Sequence, residues 1–118
     1  MLLLTAATDQ LQVLTDAAGP IHAHASWVDI TPSTAAIAPG RANTIINAAS
    51  AVSIAGSPVA STQRNVKTVH LFNKGSINCG VTIQAVDAGG TFALYNALLT
   101  PGSMLELTDM GGIRLGRV

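Results

Sequence analysis

The chain has 118 residues, and charged side chains make up only 10% of them, against about 25% in ordinary soluble domains. Six basic residues balance six acidic ones, and 19 Ala, 12 Thr and 8 Ser take the place of the missing charge. The scattered Arg and Lys argue against a nucleic-acid partner, and no apolar run approaches the roughly 20 residues that would span a bilayer.

At the start, Met1-Leu2-Leu3-Leu4-Thr5 lacks a basic region and is too short in its apolar part for a signal peptide. Residues 1–8 read as an extended arm of a single domain covering 1–118. Strands are predicted over 10–15 and 21–30, where Val, Ile, Leu and Thr are frequent. The stretch 31–43 carries Pro32, Pro39 and Gly40 and reads as a loop, and 42–51 as irregular or extended chain. A strand over 51–55 precedes a second loop, 56–65, marked by Pro58, Ser57, Ser61 and Thr62. Loops of this size on a small β domain are functional or pinned by a neighbour. Beyond them, 66–72, 81–87, 91–98, 103–108 and 113–118 read as strands. Asp87-Ala88-Gly89-Gly90 and Asp109-Met110-Gly111-Gly112 are the turns of two hairpins, rich in residues that accept positive φ.

Turn signals at such short intervals predict an all-β fold, a single antiparallel β-sandwich of about seven or eight strands, jelly-roll or Ig-like. Its core must be aliphatic, because Trp27, Phe72, Phe92 and Tyr95 are the only aromatic residues.

The chain offers little for catalysis. No Ser stands in a nucleophile elbow, and the six acids read as surface or turn residues, so no catalytic residue, cofactor or small-molecule substrate is expected. Cys79 reads as a small buried residue, with no His near it in sequence. His22-x-His24 is the one arrangement with metal-ligand spacing, since i and i+2 project from one face of a strand. Two imidazoles are an incomplete site, and the pair reads instead as the outward face, with Ser26, of a strand whose Ile21, Ala23, Ala25 and Trp27 face the core; no metal is expected. Arg41 and Arg64, each in a predicted loop, are candidates for subunit contacts, as arginine is enriched at interfaces. The other reading for each is an internal staple of its own loop. Trp27 is a further contact candidate; exposed beside a loop with Tyr95 it would suit a glycan, whereas a buried Trp27 suits a plain sandwich.

Several short motifs recur in a known order. They are Asp9-Gln10-Leu11-Gln12-Val13, His24-Ala25-Ser26-Trp27-Val28-Asp29, Pro39-Gly40-Arg41-Ala42-Asn43-Thr44 and Gly56-Ser57-Pro58. Thr62-Gln63-Arg64-Asn65-Val66-Lys67-Thr68, Asn73-Lys74-Gly75 and Leu99-Thr100-Pro101-Gly102-Ser103-Met104-Leu105-Glu106-Leu107 follow. In their order and spacing the chain resembles small β-rich virion structural proteins of tailed double-stranded-DNA bacteriophages, over nearly its whole length. The resemblance implies a virion context and carries over no catalytic residue. The expectation is a non-enzymatic virion component assembled in the bacterial cytoplasm, foremost a capsid decoration or cement protein. The alternative is a tail, connector or fibre-associated module that binds a receptor or glycan. Its expected partners are copies of itself, with a trimer favoured, and other virion proteins such as the major capsid protein. A neutral surface poor in Lys and Glu leaves strand edges unguarded, which is why self-association is expected.

Overall fold

The structure, a computed structural model, describes residues 2–108 and 112–117; within the last stretch side chains are described only at 115 and 116. Ten strands follow one another: β1 Leu2–Leu4, β2 Gln10–Thr15, β3 Ile21–Thr31, β4 Ala36–Ile46, β5 Ala51–Ala55, β6 Gln63–Asn73, β7 Cys79–Asp87, β8 Gly90–Leu99, β9 Ser103–Thr108 and β10 Gly112–Arg117. One sheet runs β10-β9-β6-β3-β4, with β1 also paired to β6, and the other runs β5-β2-β7-β8. Every pairing is antiparallel. The two sheets pack face to face, so the protein is a β-sandwich.

Period-2 alternation builds the core. Leu11 and Val13 on β2, Ile21, Ala23 and Ala25 on β3, Val69 and Leu71 on β6, and Cys79, Val81 and Ile83 on β7 all point between the sheets and are buried. Leu4, Ile46, Ile54, Ala55, Val66, Leu99 and Leu105 complete the cluster, and none of the four aromatic residues is fully buried. The aliphatic core follows from that scarcity of rings.

Two segments depart from the sequence reading. The stretch 31–43 is not a loop: after a short turn its residues enter β4, which pairs along its whole length with β3, from Thr31↔Ala36 to Ile21↔Ile46. Pro39 and Gly40 conceal the strand in the sequence, and the fold gives each a place. Proline is tolerated because β4 is an edge strand. Gly40 lies against the Trp27 indole, where a Cβ would overlap the ring. Similarly, β6 begins at Gln63, within the predicted second loop. Its register to β3 shifts between Ser26 and Trp27, where Trp27 pairs with Val66 and Ser26 with Thr68. The extra residue, Lys67, lets Val66 and Val69 both face inward, which breaks the alternation that would have revealed the strand's start.

Residues 2–4, within the segment read as an arm, form β1 and pair with Arg64–Val66 of the same chain; Leu4 is buried in the core. The β9–β10 hairpin is present as a pairing of Ser103–Thr108 with Gly112–Arg117, while its turn residues 109–111 lie outside the described residues.

Candidate interaction surface

Arg64 stands on β6 opposite Asp29 of β3. Its Nε donates to Asp29 Oδ1 at 2.8 Å and its Nη2 to Oδ2 at 3.0 Å, while Nη1 donates to the Gly56 carbonyl at 2.8 Å. The guanidinium also lies over Trp27, 4.4 Å from the ring centroid. All three nitrogens are therefore engaged within the chain, in the planar two-point geometry that arginine offers a carboxylate. Arg64 closes its own loop onto β3, the internal staple of the two readings open from sequence. Trp27 is half-buried, with its ring covered by Arg64 and Gly40 and packed on the core. Tyr95 also packs against the core. Both rings are half-buried, and Tyr95 also lines a surface hollow with Ala93, Leu94 and Asn96.

Arg41 sits on strand β4 rather than in a loop, exposed, with no hydrogen-bond or ion-pair partner among the described residues. It belongs to the outward face of the larger sheet, and the register defines that face. Asn43, His24, His70 and Glu106 stand side by side on β4, β3, β6 and β9. The next row is Ile45, His22, Phe72 and Met104; on the other side lie Arg41, Ser26, Thr68 and Thr108. All three histidines of the chain thus share one patch. They line a shallow hollow of about 600 Å³ together with Asn43, Ile45, Phe72 and Met104. His24 Nδ1 is 2.6 Å from Asn43 Oδ1, and Ser26 Oγ is 2.6 Å from Thr68 Oγ1.

His22 and His24 do project from one face, as their spacing predicts, and His70 joins them. Among the described residues, however, no three His, Cys, Asp or Glu side chains come together in a way that could hold a metal ion. The inclusion of His70, Phe72, Met104 and Glu106 was not read from sequence. Their outward phase is visible in the alternation of β6 and β9, but the lateral pairing that gathers them is not.

The four-stranded sheet has a smaller hollow of about 440 Å³ on its own outward side, lined by Leu14, Asp16, Thr82, Asn96 and Leu98. Asp16 is occupied there, accepting the Gly80 amide on Oδ1 at 2.7 Å. Cys79 is buried, and burial pushes its thiol pKa up, an effect that a backbone hydrogen bond at Ala17 offsets only in part. A thiol with a raised pKa holds less thiolate at neutral pH and is a poor nucleophile. Iodoacetamide is therefore expected to leave Cys79 unmodified in the folded protein and to alkylate it fully in denaturant, as read by intact mass. Rapid modification of the native protein would contradict this placement.

Among the described residues no helix is long and apolar enough to cross a membrane. Comparison with known proteins brings no match, whether to a family model, a curated protein or a solved structure.

Proposed function

We propose that this protein is a structural subunit of a tailed-phage particle, working by packing against copies of itself and other virion proteins, foremost as a capsid decoration protein. The observation that carries the reading is the amount of large apolar surface left in solvent by a neutral chain. Val59 is 73% exposed, Ile37 70% and Ile45 63%, and Leu3, Leu14, Ile77, Phe92, Leu94, Leu98 and Leu115 are exposed as well. Single exposed aliphatic residues are ordinary. Here they coincide with a formal net charge of zero, which gives a free monomer little protection from association. The long edge strand β4 carries one formal charge, that of Arg41, along its 11 residues, and Pro39 and Arg41 are the devices it offers against edge-to-edge pairing. The order of turn motifs along the chain supports a virion setting.

A receptor- or glycan-binding module of the tail is the second reading. The cover of Arg64 and Gly40 on Trp27 weighs against it, because sugar platforms need an open ring.

Copy number in purified particles, measured by quantitative mass spectrometry against labelled standards, tests the proposal. Hundreds of copies per particle are expected for a decoration protein. A few dozen or fewer would move it to the tail or connector, and absence from particles would overturn the virion reading altogether.

A further inference from the structure

We infer that the outward face of the six-stranded sheet is a two-fold contact between two copies of this chain, with the axis running along the strip between β3 and β6. This face includes Ile45 of the exposed residues above, and the inference rests on the assembly reading only for its biological setting.

A two-fold axis lying in the contact plane, parallel to these strands, exchanges β3 with β6 and β4 with β9. It sets His24 against His70 of the second copy, Ser26 against Thr68, His22 against Phe72, Ile45 against Met104 and Asn43 against Glu106. Each pairing joins compatible chemistry: imidazole to imidazole, hydroxyl to hydroxyl, ring to ring, aliphatic to thioether, amide to carboxylate. A patch that matches itself under one rotation is what an isologous interface requires. Three of these five pairs are already neighbours within one sheet, whereas Ile45 against Met104 and Asn43 against Glu106 are brought together only by the axis.

Charge complementarity supports the same occupant. Arg41 and Glu106 have no ion-pair partner among the described residues and lie on opposite sides of the strip. Under the two-fold, Arg41 falls one row from Glu106 of the second copy, a step of about 7 Å along a strand and within the reach of an arginine side chain. The pair forms twice per dimer. Arg114 on β10 stands beside Glu106 in register, outside the four strands that the axis exchanges. Strands related by such an axis are aligned, the arrangement in which sheets pack face to face.

Sedimentation equilibrium on the purified chain, from micromolar to millimolar, gives the first readout: a monomer–dimer equilibrium is expected. Arg41→Glu and Glu106→Arg, each alone, place like charges across the contact twice and should weaken the dimer roughly tenfold or more. An equimolar mixture of the two variants should restore it, because both contacts in the mixed dimer then pair opposite charges. Phe72→Glu, with its fold verified by circular dichroism, should abolish dimerisation without rescue. A chain monomeric throughout, a dimer indifferent to all three substitutions, a closed trimer, or a mixture that fails to recover would each overturn the two-fold contact. A dimer that behaves as described but is absent from particles would defeat the virion reading and leave this one standing. Abundant incorporation of the Phe72→Glu protein would support the virion reading and show that the particle does not use this contact.

Discussion

Replacing Arg64 by alanine is expected to destabilise the isolated domain by about 2–4 kcal/mol, because it removes one partner of a largely covered ion pair. The side chains of Arg64 and Asp29 are only 14% and 21% exposed. Deleting the guanidinium leaves the Asp29 carboxylate without its two donors, frees the Gly56 carbonyl and uncovers one side of Trp27. The expected readout is a Tm lower by about 10 °C, with faster proteolysis in the segment between β5 and β6. Arg64→Lys should recover part of the loss, since a point charge cannot hold both carboxylate oxygens and a carbonyl at once. An unchanged thermal transition would mean that the staple contributes little, and the subunit-contact reading of Arg64 would regain its standing.

A loss of similar or greater size is expected from Asn73→Ala, about 3 kcal/mol. Asn73 is fully buried at the end of β6. Its Nδ2 donates to the carbonyls of Ile77 at 2.9 Å and Leu99 at 2.8 Å, and its Oδ1 accepts the Gly75 amide at 2.9 Å. One side chain thus satisfies two carbonyls and an amide, joining the β6–β7 turn to the end of β8. Alanine would leave these groups unpaired where water reaches them poorly, at about 1–3 kcal/mol for each group so stranded. The turn has little freedom to rearrange, because Gly75 lies so close to the Gly19 carbonyl that a Cβ would collide with it. Chemical denaturation should show a lower midpoint with an unchanged slope. Asn73→Asp should also destabilise the domain, since it replaces the donor that both carbonyls require. Wild-type stability in Asn73→Ala would show that ordered water substitutes for the amide.

Alternation and turn chemistry are local properties, and they were legible. Gln10–Thr15, Ala51–Ala55 and Ser103–Thr108 have the same limits in the structure as in the reading of the sequence. The β7–β8 turn falls at Asp87–Gly90, where Asp87 Oδ1 accepts the Gly89 amide at 2.7 Å. The inward phase of Ile21, Ala23 and Ala25 and the outward phase of His22 and His24 were equally plain. What escaped depends on neighbours distant in the chain. Strand β4 is hidden by Pro39 and Gly40, which make sense only beside a free sheet edge and the Trp27 ring. The start of β6 is hidden by a bulge, which inverts the side-chain phase partway along the strand.

The candidate surface divides along the same line. The outward phase of His70, Phe72, Met104 and Glu106 is written in their own strands, but nothing local specifies that β6 lies beside β3 and β9 beside β6. That order is a choice among long-range pairings, made by burying the apolar faces of both sheets at once. It gathers three histidines from positions 22, 24 and 70 into one patch and leaves Arg41 and Glu106 on either side of it. Arg64 is decided in the same way. Its sequence context marks an arginine near a loop, and only the approach of β3 supplies the carboxylate and the indole that hold it inside its own chain.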